Sequence, residues 1–252
     1  MSLLTRTCPD QSAASASTDP KLNALLAAMP GSTWQRWLPQ LEAVDLSPNQ
    51  VLFESGSLLS HVYFPTTASV SLLYVTASGA SAQVAAVGNE GVVGVSLFMG
   101  GGSTTTSAVV QGAGQAYRLN ARAIKDEFYR AGPVMHLMLR YTQALITQMS
   151  QTAVCNRHHS LECQLCRLLL HSQDRAQSSE LLMTQEVIAN LLGVRREGVT
   201  EGALKLQKAG VIRYARGRIS LLDRHALEQR SCECYAVVKK ECDRLRPELM
   251  AA

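Results

Sequence analysis

Residues 184–222 constrain the fold more than any other stretch. Thr184-Gln185-Glu186-Val187 opens like a helix N-terminus, with Thr184 as the cap, although the third residue on is Val187 rather than the Glu of a full capping box. Val187, Ile188, Leu191 and Leu192 then recur at helical spacing. Gly193 supplies a tight turn for which a positive φ is expected. A second helix is expected over Arg195–Lys208, with Val199, Ala203, Leu204 and Leu206 on its buried side. The small residues Ala189 and Ala203 allow the two helices to approach closely. Ala209-Gly210 ends the second helix. Val211–Tyr214 and Ile219–Leu222 read as two short strands around the turn Ala215-Arg216-Gly217-Arg218. Short helix, glycine turn, second helix and basic hairpin together spell a winged helix-turn-helix.

The charge distribution points the same way. The 252 residues carry a net charge of +4, yet residues 1–156 balance eight Lys/Arg against eight Asp/Glu. The window 195–218 alone holds Arg195, Arg196, Lys205, Lys208, Arg213, Arg216 and Arg218 against Glu197 and Glu201. A local positive excess suits a polyanion partner. Arg195, Arg196 and Glu197 fall in the first turn of the second helix, the part that meets base edges in a major groove. An Arg can bond guanine in bidentate fashion, and a Glu can accept from cytosine N4. Thr200 and Glu201 complete the candidate base-reading set. Thr184, Lys205, Arg216 and Arg218 are the candidate phosphate contacts. Gly198 and Gly202, four apart in a helix, each cost about 1 kcal/mol relative to Ala. Close approach to DNA and packing against a neighbouring helix are both open as their reason.

Upstream the character changes. Asp19-Pro20 starts one or two short helices over Lys21–Leu41, with Ser32 a second cap. From Val44 to Leu119 short β-branched or apolar runs alternate with turn residues: Val51–Phe53, Val62–Phe64, Val70–Val75, Gln83–Val87, Val92–Phe98, Ala108–Gln111 and Gln115–Leu119. That rhythm suits an antiparallel barrel or jelly roll. Helices follow over Ala121–Ala131, closed by Gly132-Pro133, and over Val134 to about Cys155. Val134, Leu137, Met138, Tyr141, Leu145, Met149 and Ala153 make one stripe on the second helix. The stripe can rest on the roll or form a coiled-coil seam with a second copy, and the seam is the preferred reading. Ser160–His171 is a further helix, followed by a polar loop over Ser172–Glu180.

With these elements in this order, the sequence resembles the Crp/Fnr family of bacterial transcription regulators, over about residues 20–222. The run Thr184–Thr200 carries the most specific part of the likeness. The resemblance implies an α+β fold: a β-roll related to cyclic-nucleotide-binding domains, a long dimerisation helix and a C-terminal winged helix-turn-helix. It divides the chain into a flexible tail (1–18), a sensor-like roll (19–120), a connecting helix (121–156), a DNA-binding domain (157–230) and a helical extension (231–252). It implies that the Arg196-Glu197 pair touches bases, and that Glu201 stands where relatives often carry a second base-reading Arg. The target sequence is therefore expected to differ from the family's best-known palindrome. Nucleotide-binding relatives hold the ribose through a Glu and the cyclic phosphate through an Arg. The matching stretch here places Gly94 and Val95, then Thr106 and Ser107, so Val95 and Thr106 stand at the Glu and Arg positions and usual cyclic AMP binding is not expected. The effector is unidentified. Double-stranded DNA and a second copy of the chain are the expected partners, with RNA polymerase a further candidate.

Other chemistries find less support. Between Val44 and Leu119 there is one histidine, His61, which argues against a jelly-roll metalloenzyme. No nucleophile–base or paired-carboxylate arrangement stands out, so no enzyme is expected. The seven cysteines are Cys8, Cys155, Cys163, Cys166, Cys232, Cys234 and Cys242. Iron–sulfur members of the family gather several ahead of the roll, where this chain has Cys8 alone. Cys163 and Cys166 share a helix face with His159, but half-buried thiols in a helical core are the commoner case, and no metal or cofactor is expected. Only Arg230 stands near enough in sequence to lower the pKa of Cys232 or Cys234. No apolar run reaches the length of a membrane span, and no apolar stretch follows Arg6, so a cytoplasmic protein with reduced thiols is expected. The alternative function is an effector or redox sensor whose winged helix serves protein contacts.

Overall fold

A computed structural model describes residues 18–176 and 178–250, with side chains to residue 244. The expected flexible tail therefore lies, apart from Thr18, outside the described residues.

The N-terminal segment forms shorter helices than its pattern suggests. Asp19 accepts from the Lys21 N–H and caps a 3-10 turn at Pro20–Leu22. Helix α1 (Ala24–Ala27) is capped by Asn23 and α2 (Gly31–Trp37) by Pro30, so Ser32 lies inside α2 rather than ahead of it.

The roll is built from β1 (Glu42–Leu46), β2 (Val51–Phe53), β3 (His61–Pro65), β4 (Ser69–Val75), β5 (Ser81–Val87), β6 (Ser107–Gly112) and β7 (Gly114–Asn120). They form two antiparallel sheets, in the orders β1-β7-β3 and β2-β6-β4-β5. Alternation sets the inward faces: Val62 and Phe64 on β3, and Val70 and Leu72 on β4, are buried. The Val70↔Val87 and Leu72↔Ala85 pairs fix the β4–β5 register. Strand β1 is an addition, since Glu42–Leu46 has too little apolar alternation to stand out. Val92–Phe98, expected as a strand, is not one. Val93 makes an isolated bridge to Tyr63, then Gly94 at φ 106° turns the chain into a 3-10 turn at Val95–Leu97. The apolar residues of this run are core residues of a turn.

Helix α3 (Ala121–Tyr129) is capped by Asn120, and α4 (Pro133–His158) runs 26 residues. The stripe preferred as a dimer seam mostly serves the other purpose. Val134, Leu137, Met138, Tyr141 and Leu145 are buried in the same core as the roll strands, with Met149 packed against it. Each large apolar side chain buried there contributes about 1.5–3 kcal/mol. The opposite face leaves Leu139, Ile146 and Val154 exposed, with Ala153 beside them. Leu139, Ile146 and Ala153 are spaced by sevens, so the unpartnered stripe is offset from the one the sequence suggested.

The C-terminal module has its own core. Helix α5 spans Leu161–Ala176, so the expected polar loop begins five residues late. Its last turn is polar because it is paired: Asp174 meets Arg224 at 2.8 Å and Arg175 meets Glu90 at 2.8 Å. Strand β8 (Glu180–Leu182) follows, then α6 (Gln185–Leu192), α7 (Arg196–Lys208), β9 (Ile212–Ala215), β10 (Arg218–Leu221), α8 (Arg224–Arg230) and α9 (Glu233–Met250). The sheet order is β8-β10-β9. Helix α9 packs back along α4.

Candidate nucleic-acid interface

The two-helix unit follows from local chemistry. The Thr184 hydroxyl accepts from the Val187 N–H at 3.2 Å, satisfying one orphan donor of α6. Gly193 closes α6 in the left-handed region at φ 67°, where a side chain would be strained. Arg195 is extended and caps α7, so the second helix starts at Arg196. Ala189 and Ala203 are both buried where the helices cross. Leu204 departs from expectation: it is 51% exposed and does not belong to the buried side.

The two glycines of α7 have a clear packing role. A Cβ on Gly198 would stand 2.8 Å from Leu161 Cδ2, and one on Gly202 would stand 3.3 Å from Leu165 Cδ2. Both face α5, and they let the recognition helix sit close upon it. Close approach to DNA is not their reason.

The hairpin is a two-residue turn between β9 and β10. Arg216 (φ 50°) and Gly217 (φ 77°) both lie in the left-handed region, as a type I′ turn requires. Ala215 pairs with Arg218 and Tyr214 with Ile219. The Gly217 carbonyl accepts from the Met183 N–H at 2.9 Å, and a Cβ on Gly217 would touch Thr184 Cγ2 at 3.4 Å. The wing tip therefore sits over the start of α6, and Thr184 and Arg216 belong to one ridge. Two residues passed over in the sequence join the parts. Gln207 accepts from the Tyr214 N–H at 3.1 Å, tying α7 to the wing. Gln185 accepts from the Thr200 hydroxyl at 2.8 Å, tying α6 to α7. No local pattern marks either glutamine, because each acts across the fold.

Arg195, Arg196 and Glu197 are all exposed at the N-terminus of α7. Among the described residues no ion pair engages them or Arg213 or Arg216, so their charges face solvent. Thr200 is half-buried, with its hydroxyl on Gln185 and on the Arg196 carbonyl. Glu201 and Lys205 pair with each other at 2.8 Å. The hydrogen bond that Lys205 donates to Glu201 holds the Glu201 carboxyl below its usual range and raises Lys205. Arg218 lies 3.6 Å from Glu180.

The residues expected at the cassette positions are Gly94, Val95, Thr106 and Ser107. Gly94 keeps its left-handed turn, and Val95 packs half-buried against the roll core. Thr106 Oγ1 lies 2.9 Å from Thr104 Oγ1, and Ser107 Oγ accepts from the Ser55 N–H. The Ser96 hydroxyl is buried with no hydrogen-bond partner among the described residues. From Arg36 to Arg118 the sequence contains no other Lys or Arg.

Two family models match. One described as a cyclic nucleotide-binding domain covers residues 43–130, and one described as a Crp-like helix-turn-helix domain covers residues 164–230. By this pair of domains the chain belongs to the Crp/Fnr family. Solved structures share its fold. A Crp/Fnr-family transcriptional regulator from Eubacterium rectale aligns at TM-score 0.68 and 16% identity, over 83% of this chain and 98% of its own. FixK2 from Bradyrhizobium japonicum aligns at 0.64 and 14%, over 76% and 98%. The c-di-GMP responsive global regulator CLP from Xanthomonas campestris aligns at 0.64 and 15%, over 76% and 99%. No curated protein matches significantly in sequence. The family is one of transcription regulators rather than enzymes. No described helix is long and apolar enough to cross a membrane.

Proposed function

We propose that this Crp/Fnr-family chain is a sequence-specific DNA-binding regulator that reads an inverted repeat as a dimer. The observation that carries the reading is the joint exposure of Arg195, Arg196 and Glu197 at the start of α7, beside a wing tipped by Arg216. Arg196 and Glu197 read base edges, with Arg195 beside them. Glu201 and Lys205 enter as a neutral pair, so Lys205 holds a phosphate less firmly than Arg216 does. Thr200 acts through Gln185 as a brace for the recognition helix. Thr184, Arg216 and Arg218 line the backbone and set register. The dimer seam is the exposed stripe Leu139, Ile146 and Ala153 of α4, which would set two recognition helices one turn of DNA apart, about 34 Å.

The roll in this reading does not take cyclic AMP in the usual way. A cyclic phosphate at the cassette would face Val95 and Thr106, and residues 37–117 contain no Lys or Arg to offset its charge. RNA polymerase as a partner rests on family resemblance alone. Selection of duplexes from a random pool by the purified chain tests the reading. The expected product is an inverted repeat, and Arg196→Ala should lose about 1–3 kcal/mol of discrimination at one base pair per half-site. Recovery of no preferred sequence by wild type overturns it.

A further inference from the structure

The fold brings together four potential ligands from two distant parts of the chain. Cys155 lies in the last turn of α4, and His159, four residues on, caps that helix. Cys232 precedes α9 and Cys234 opens it. Cys155 Sγ lies 3.5 Å from Cys232 Sγ, and Cys234 Sγ lies 3.5 Å from His159 Nδ1. All four ligand atoms fall within 4.8 Å of one another. We infer that Cys155, His159, Cys232 and Cys234 form a closed tetrahedral site for a single thiophilic divalent ion, of which Zn²⁺ is the natural occupant.

Geometry favours one ion. With Zn–S near 2.3 Å and Zn–N near 2.0–2.1 Å, a tetrahedron has edges of about 3.6–3.8 Å. The two shortest separations here are already within a few tenths of an ångström of that. An iron–sulfur cluster divides its ligands among two or four irons and so needs them spread more widely. Three thiolates and one imidazole select Zn²⁺ over the hard cations Mg²⁺ and Ca²⁺. Cys155 is 0% and Cys234 1% exposed, as suits a structural site rather than one with an open position.

The surroundings supply what such a site needs. His159 Nε2 lies 3.4 Å from Glu233 Oε1, so a proton on Nε2 shared with that carboxylate leaves Nδ1 bare toward the thiols. Gln164 Nε2 donates to the His159 carbonyl at 3.0 Å and holds the joint between α4 and α5. Three thiolates around a divalent ion leave one excess negative charge. Arg167 is buried, donates to Thr152 one turn before Cys155, and has its Nε without a partner among the described residues. Its charge acts on Cys155. The metal clip weighed from sequence joined His159 to Cys163 and Cys166, which are not among the four grouped ligands. The true grouping joins C-x-x-x-H at one end of the long helix to C-x-C some 75 residues later, a separation no local motif spans. An ion there fastens α9 to the joint that links the long helix to the DNA-binding module.

The test uses the full chain, reduced, stripped with a chelator and titrated with Co²⁺ and then Zn²⁺. One equivalent of Co²⁺ per chain is expected, with tetrahedral ligand-field and thiolate charge-transfer absorption that Zn²⁺ abolishes. Cys232→Ser and Cys234→Ala should each remove the signal, Cys163→Ser should keep it, and Glu233→Gln should weaken binding about 10-fold. Should the ligand variants not fold, Zn²⁺ must still shield the half-buried Cys232 of wild type from alkylation while Cys163 reacts. The inference fails if the reduced, folded wild type takes up no Co²⁺. It fails equally if folded Cys232→Ser and Cys234→Ala both retain the absorption, or if alkylation of Cys232 is indifferent to Zn²⁺.

Discussion

Replacing Arg216 by Ala isolates the electrostatic part of the proposed DNA contact. Arg216 stands at the wing tip with φ 50° and, among the described residues, makes no ion pair. Lys205 and Arg218 are partly neutralised by Glu201 at 2.8 Å and Glu180 at 3.6 Å. The Arg216 guanidinium is therefore the wing charge that meets a phosphate with least prior compensation. Ala also carries a Cβ, so the backbone strain at this turn is unchanged by the substitution. One phosphate contact per chain means two per dimer. At about 0.9 per phosphate, the slope of log K against log salt becomes shallower by about 1.8. Between 50 and 200 mM salt, wild type should then lose about 12-fold more affinity than the variant. Fluorescence anisotropy with a selected operator and a scrambled duplex, across a salt series, measures this. Both duplexes should weaken alike, because phosphates carry no sequence. An unchanged slope, or weakening confined to the operator, would refute the assignment of Arg216 to the backbone.

Three further outcomes follow from the geometry. Gly198→Ala gains about 1 kcal/mol of helix propensity but sets a Cβ 2.8 Å from Leu161, an overpacking cost of about 1–3 kcal/mol, so urea melts should show net destabilisation; Gly202→Ala, at 3.3 Å, should be near neutral. Leu139→Asp combined with Ile146→Asp puts charge on exposed sites, 45% and 55% accessible, and should leave the chain folded while light scattering reports a monomer. His171 is held neutral well below its usual pKa, chiefly by burial and then by the charges of Arg175, Arg167 and Lys239. The unfolded chain takes up a proton there below about pH 6.5 and the folded chain does not, so stability falls on acidification by up to about 1.4 kcal/mol per pH unit. His171→Leu should flatten that slope between pH 6.5 and 5 in denaturant titrations.

The helix-turn-helix was legible because its signals are local. A cap at Thr184, a glycine at 193 and apolar residues at helical steps act within a turn or two of each other. The wing was legible for the same reason, since Arg216-Gly217 must supply two positive φ values between short β-branched runs. Strands β2 to β7 of the roll declared themselves by alternation, whereas Glu42–Leu46 has too little of it, and elsewhere burial on both sides imitates a strand. Val92–Phe98 is such a case, and Gly94 within it was the mark of the turn. The long helix shows the limit of periodicity. Its two apolar stripes both satisfy a helical repeat, and only the packing of Val134, Met138 and Tyr141 into the roll core tells which is spent. Glu90 with Arg175, Thr200 with Gln185 and Cys155 with Cys232 are joined across at least 15 residues, beyond any local pattern.

One of those long-range pairs, Glu90 with Arg175, lies in a segment of the roll that several elements touch. The Asn23 side chain donates to the Gly91 carbonyl, and Gly91 lies directly beneath the Tyr141 ring, where no side chain would fit. Glu90, its neighbour, holds Arg175 of α5 at 2.8 Å, with the two side chains 20% and 9% exposed. Residues 88–91 thus touch α1, the long helix and the helix-turn-helix module at once, and they run straight into the Val93–Phe98 turn. Gly193, the turn of the helix-turn-helix, meets the same sheet at Ala82. Parting an ion pair this far out of solvent leaves two poorly hydrated charges, at a cost above the about 0–1 kcal/mol of an exposed pair. A ligand in the roll therefore has little leverage by breaking the Glu90–Arg175 contact. On the proposed reading, a shift of residues 88–98 that carried Glu90, Arg175 and α5 together would move the recognition helix while keeping that contact at 2.8 Å.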